Sequence, residues 1–142
     1  MDSMQQTLIT AARTEFLQHG YKAASIADIA ARAGVAVGSV YKFFPSKQAL
    51  FFEVYFTENA RAKQQIAAAI DWSNPRQALK EFITKAAETS RDNQILQAWT
   101  QPGIGDQLKS ECLGRCETGE FRAFLHKLAE QWRAAGSLPA DY

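Results

Sequence analysis

The chain is predicted to be all-α. Apolar residues recur at three- and four-residue spacing along its hydrophobic stretches, no stretch alternates with the period of a strand, and Gly, Pro and Asn-Pro signals separate the periodic runs. With 142 residues and 46% hydrophobic content, the chain can build a packed core. That length suits one domain, or a small head with part of a second. No internal repeat or low-complexity tract interrupts it.

Each helix carries its own signals. Ser3 with Gln6 is a capping-box pattern that opens the first, Leu8, Ile9, Ala12 and Phe16 form its buried face, and Gly20 closes it. Ser25 is an N-cap with Asp28 three residues on, before Ile26, Ile29, Ala30 and Ala33 on one helical face. Gly34 follows where a C′ residue with positive φ is wanted. A short third helix repeats Val40 and Phe44 until Pro45 stops it, and Ser46 caps the next. The fourth helix is long. Leu50, Phe51, Val54, Ala62, Ile66, Ala69 and Ile70 keep its stripe, and no Gly or Pro appears before Pro75.

Asn74, Pro75 and Gln77 restart the chain into a fifth helix with Leu79, Phe82, Ile83 and Ala86 as its apolar face. Ile95, Leu96 and Trp99 predict a short sixth helix, ended by Pro102-Gly103-Ile104-Gly105. Asp106 can cap a seventh, with a stripe through Leu108, Cys112, Cys116, Phe121, Leu125, Leu128 and Trp132. Gly114 and Gly119 weaken its middle, so a break near Gly119 is expected.

Two short helices around a glycine turn are what a DNA-reading helix-turn-helix requires. Gly34-Val35, Gly38-Ser39-Val40-Tyr41 and Phe43-Phe44-Pro45-Ser46-Lys47 resemble the N-terminal DNA-binding module of the TetR family of bacterial transcriptional repressors. Ala12, Phe16, Gly20 and Tyr21 resemble that family's first helix and its exit. The resemblance is dense from Thr7 to Val54 and fades to hydrophobic pattern beyond. It implies a three-helix DNA-binding head over residues 1–47, a long connecting helix, and a helical ligand-binding or regulatory domain over residues 48–142. Family members usually continue through two more helices that form the dimer interface, whereas this chain closes at Gly136 to Tyr142. The regulatory domain therefore reads as partial, and a homodimer is expected if those helices are present in the native protein.

Within such a head, base edges are read from the exposed start of the third helix. Those positions are Val37, Gly38, Ser39 and Lys42. Lys42 can reach guanine O6 and N7, Ser39 can donate or accept, Val37 can meet a thymine methyl, and Gly38 permits close approach. A solvated lysine and a core-covering valine are the alternatives for Lys42 and Val37. Ser25, Tyr41, Phe43 and Lys47 are the candidate phosphate-backbone contacts. Tyr41 and Lys47 rest on the resemblance, with a packed aromatic and an exposed lysine as alternatives. Phe44 is expected to face the core.

Other chemistry lacks residues. No nucleophile–base pair, phosphate-cradling glycine loop or HExxH spacing occurs, so no enzyme activity, metal or cofactor is expected. Cys112 and Cys116 share a helical face but read as small buried residues, with metal binding or oxidant sensing the alternative. No apolar run could span a membrane and Met1-Asp2-Ser3 is unlike a signal peptide, which makes the cytoplasm the expected compartment. Net charge is +1, with five bases against three acids in residues 1–50 and eleven against twelve beyond. That balance argues weakly for a basic head. By resemblance, Phe82, Trp99, Phe121 and Phe124 are candidates for an effector pocket, although core packing explains them equally.

The expected function is a sequence-specific transcriptional regulator, a repressor on a palindromic double-stranded operator released by a small-molecule effector. The rival is a helical protein-interaction module that pairs with another protein and does not itself recognise DNA.

Overall fold

The computed structural model describes residues 3–115 and 120–136, and those residues contain helices and no strand. α1 spans Ser3–Ala23, α2 Ile26–Ala33, α3 Val37–Phe43, α4 Lys47–Ala68 and α5 Pro75–Asp92. A 3-10 helix at Leu96–Thr100 is followed by α6 at Ile104–Arg115 and α7 at Glu120–Ala134. Cys116 and the expected break at Gly119 lie outside the described residues, which form helices on either side of that stretch.

The local signals act as polar chemistry demands. Ser25 Oγ accepts from the Asp28 amide at 3.1 Å, Ser46 Oγ from Ala49 at 3.0 Å and Asn74 Oδ1 from Gln77 at 3.3 Å. Each cap satisfies a backbone donor that the first helical turn leaves open. Gly34 ends α2 at φ 75°, and Gly20 bends α1 at φ 77° and ψ 174°. Both need the left-handed region that glycine enters without a Cβ clash.

α1 packs across α2 and α4, and their core holds Leu8, Phe16, Ile29, Val40, Leu50 and Phe51, all fully buried. The ring of Phe16 meets Phe51 edge-on with centroids 4.9 Å apart. The same cluster runs on through Tyr55 to Ile95, Leu96, Ala98 and Leu108, so it crosses residue 47 without a gap. A second cluster gathers Ile66, Ile70 and Ala78 with Trp72, Phe82 and Ala86.

Three local expectations are corrected. α1 already includes Ser3 in its first turn, so Ser3 is not a cap outside the helix. The inward stripe of α5 is buried Ala78 with the expected Phe82 and Ala86, both partly buried, spaced by four and lying on Ile66, Ile70 and Trp72 of α4 and its exit. That narrow stripe leaves Leu79 and Ile83 on the outside, 42% and 67% exposed. α6 begins at Ile104, ahead of Asp106, because Gly103 at φ 83° turns the chain and the Gly105 amide already reaches the Gln101 carbonyl. A Cβ on Gly105 would stand 2.5 Å from the Trp99 carbonyl oxygen, so this close seat of α6 on the 3-10 helix requires glycine.

Two buried acids tie the head together. Glu15 and Glu58 are 5% and 4% exposed. Glu15 accepts from Arg32 at 2.8 Å, joining α1 to α2, and Glu58 accepts from Arg13 at 2.6 Å, joining α4 to α1. A buried carboxylate is tolerable only with such partners.

Candidate nucleic-acid interface

The α2–α3 corner determines what α3 presents. Gly34 reverses the chain, the Val35 amide returns to the Ala30 carbonyl at 3.0 Å, and fully buried Val40 anchors α3 to the head. Phe44 follows as core, at 6% exposed. With that side pinned, helical geometry turns Val37, Gly38, Tyr41 and Lys42 outward, and all four are exposed. Ser39 is half-buried beside them.

The outward residues have little to do within the fold. No hydrogen bond or ion pair joins the side chain of Lys42 or Tyr41 to the other described residues. Val37 and Tyr41 are 41% and 48% exposed. A Cβ on Gly38 would meet nothing within 4 Å, and its φ is not positive. Glycine inside a helix costs about 1 kcal/mol relative to alanine. No contact in the described structure requires that cost.

The four backbone-contact candidates sit differently. Ser25 is half-buried and spends its oxygen as the α2 cap, leaving its hydroxyl proton free to be donated. Tyr41 is on the open face. Phe43 is half-buried and lines a cleft of about 280 Å³ with Gln5, Ile9, Phe44 and Pro45. Lys47 is half-buried, and its ammonium donates to the carbonyls of Tyr21 at 2.8 Å, Ala24 at 3.2 Å and Lys22 at 3.4 Å. It also lies 4.5 Å from the centre of the Tyr21 ring, whose hydroxyl is pushed up by burial. Lys47 therefore clamps the exit of α1 to the start of α4, a role that sequence reading did not anticipate.

The effector-pocket candidates are not brought to one place. Trp99 stacks on Tyr55 with centroids 6.1 Å apart and planes 9° from parallel, within the first core. Phe82 and Phe124 both meet Trp72, at 6.0 and 5.5 Å, where Trp132 also donates its indole N–H to the Trp72 carbonyl. Phe121 is on α7, with its side chain outside the described residues. The cleft beneath Phe43 and a second of about 410 Å³ flank the α3–α4 corner, and none of these aromatics lines either. Among the described residues no group of His, Cys, Asp and Glu is arranged to hold a metal. No described helix is long and apolar enough to cross a membrane.

Residues 8–54 match the sequence profile of bacterial regulatory proteins of the tetR family. The TetC protein of transposon Tn10 from Escherichia coli is 30% identical over 132 residues, covering 91% of this chain and 67% of that protein. A helix-turn-helix-type transcriptional regulator of Mycobacterium tuberculosis is 32% identical over 127 residues, 85% of this chain and 61% of its own. The chain spans 37% of a Bacillus subtilis regulator of the same type, with 35% identity over 71 residues. Among solved structures, a tetR-family regulator from Shewanella sp. PV-4 superposes with TM-score 0.61 over 95% of this chain and 72% of that one, at 22% identity. One from Mesorhizobium loti gives 0.62 over 94% and 69%, at 24% identity. The head's sequence match and the extended similarity to its relatives agree with the helical architecture: the chain belongs to the tetR family of bacterial regulatory proteins.

Proposed function

We propose that the chain is a DNA-binding transcriptional repressor that reads a palindromic operator as a homodimer in the cytoplasm and leaves it when a small molecule binds the body. The observation that carries this reading is the outward face of α3, where Val37, Gly38, Tyr41 and Lys42 are exposed while Val40 beneath them is fully buried. α3 enters the major groove. Lys42 donates to guanine O6 and N7, Val37 meets a thymine methyl, Ser39 supplies a short polar contact, and Gly38 brings the helix backbone close.

Tyr41 and the Ser25 hydroxyl donate to phosphate oxygens, and Phe43 packs against the sugar-phosphate backbone. Lys47 contributes charge from its clamp, and a direct phosphate contact there trades away one of its three carbonyl bonds. The effector is an apolar or aromatic molecule. Phe82 and Phe124 around Trp72 support a seat in the body, with Phe121 and Trp99 the further candidates. Release is a population shift, in which the effector favours the head spacing that misfits the operator.

Retention of duplexes from a random pool, with titration of an enriched duplex against a scrambled one at rising salt, tests the reading. Salt-dependent preference for the enriched duplex supports it. Equal affinity for both would overturn sequence recognition, and no retention at low salt would favour the protein-interaction module.

A further inference from the structure

We propose that Asn93 is a positioning residue for DNA binding: acting through Glu58 and Arg13, it seats the corner between α5 and the 3-10 helix against the head. The proposal rests on the DNA-binding reading above. Asn93 uses both ends of its amide. Its Oδ1 accepts from the backbone amides of Ile95 at 2.9 Å and Leu96 at 3.1 Å, and its Nδ2 donates to Glu58 Oε1 at 2.9 Å. The oxygen can meet only donors and the nitrogen only acceptors, so the amide has one productive orientation.

Glu58 is 4% exposed, and the fork of Arg13 holds both its oxygens, Nε to Oε2 at 2.6 Å and Nη2 to Oε1 at 3.2 Å. Three segments distant in sequence thus share one buried carboxylate: α1 of the head, α4, and the entrance to the 3-10 helix.

The packing beneath agrees. Ile95, Leu96 and Ala98, immediately after Asn93, are buried in the same cluster as Phe16 and Phe51 of the head. The neighbouring Gln94 donates to the Gln18 carbonyl at 3.4 Å, and its side-chain oxygen would lie 3.0 Å from a Cβ at Gly20, the bend of α1. The corner therefore rests on α1 where the chain turns toward the helix-turn-helix. If it lifted, Glu58 would lose the donor Asn93. A buried acceptor makes such a loss costly, so the joint favours fully seated over half-seated arrangements.

The test uses the full chain and a duplex enriched by the wild-type protein from a random pool. Asn93→Asp keeps the acceptor for Ile95 and Leu96 but sets a second carboxylate against Glu58. Its Kd for that duplex is expected to rise roughly threefold to thirtyfold, with the protein still folded by circular dichroism. The double variant Asn93→Asp with Glu58→Gln should lose less affinity than the two single losses combined, because both substitutions break the same joint. A merely structural Asn93 would lower the melting temperature and leave the affinity of folded protein unmoved.

Unchanged affinity in folded Asn93→Asp, or losses that add in full in the double variant, overturns the proposal while DNA binding stands. If Asn93→Asp does not fold, Asn93→Ser is read in its place, since it keeps a cap oxygen and loses the donor to Glu58. Weaker binding supports the proposal and unchanged binding overturns it. A wild-type chain that enriches no duplex removes the DNA-binding reading and this inference together.

Discussion

Lys47 and Tyr21 are joined twice: the Lys47 ammonium donates to the Tyr21 carbonyl at 2.8 Å and lies 4.5 Å from the centre of its ring. The exit of α1 is thereby fastened to the first residue of α4, and the helix-turn-helix lies between the two fastened ends. Lys47→Ala should lower stability by about 1–2 kcal/mol, because it removes a charged donor from partly buried carbonyls. If Lys47 also reaches a phosphate, binding to all duplexes weakens and the slope of log affinity against log salt falls by about 0.9. Titrations across salt check this, and an unchanged slope would leave Lys47 as a clamp alone.

Lys42 should behave differently. It has no partner to lose among the described residues, so Lys42→Ala is expected to leave stability within about 0.5 kcal/mol. Discrimination at one base pair should fall by about 1–3 kcal/mol if the contact is bidentate. Competition among single-base operator variants measures this. A uniform loss across all variants would make Lys42 a backbone contact.

The same substitution at two glycines should have opposite effects. Gly38→Ala introduces a methyl with nothing within 4 Å and is expected to stabilise the chain by about 0.5–1 kcal/mol while weakening DNA binding. Gly105→Ala drives a methyl against the Trp99 and Ala98 carbonyl oxygens and should destabilise by about 1–3 kcal/mol. Urea unfolding and duplex titration of both proteins provide the comparison. Gly38→Ala that binds DNA as tightly as wild type would argue against close approach at α3.

Glu58 should give the fold an acid sensitivity. Burial pushes its carboxyl up, but hydrogen bonds from Arg13 and Asn93, with the nearby charges of Arg13 and Arg61, hold it below the usual glutamate range. A carboxyl depressed in the folded state contributes stability above its unfolded pKa of about 4.3, and that contribution is lost as pH falls through the folded value. Glu58→Gln should cost about 1–3 kcal/mol at neutral pH and flatten the loss of stability below about pH 4.3. Because the Arg13 side chain is 34% exposed, the lower half of that range is expected. Unfolding curves from neutral to acid pH decide it, and parallel curves for the two proteins would contradict it.

The helices were legible, and so were the ends with a local cause, whereas the boundaries expected at Ser3, Gly20 and Asp106 fall elsewhere. Ser25, Ser46 and Asn74 each cap the amide three residues on, and Gly34 is required by one backbone torsion. Polar partners from distant segments were not legible. The stripe Val54 to Ala62 skips a helical turn, and Glu58 fills that turn on the buried side, a signal available in the spacing alone. Its partners, Arg13 and Asn93, lie 45 and 35 residues away and emerge only once α1 and the 3-10 helix are packed against α4. Phe82 and Ala86 lie on the face of α5 that the spacing predicts, whereas Leu79 and Ile83 fit helical spacing equally well and lie outside it. The contact with α4 chooses between them. At the candidate interface, sequence offers Lys42 for base edges and Lys47 for phosphate, and folding leaves the first open while committing the second to three carbonyls.

Sequencing of the duplexes that the wild-type chain enriches from a random pool decides whether α3 reads DNA. Two inverted half-sites at fixed spacing are the predicted result, with α3 of each protomer reading one half-site. No enriched sequence at low salt would contradict the claim that this chain recognises DNA through α3.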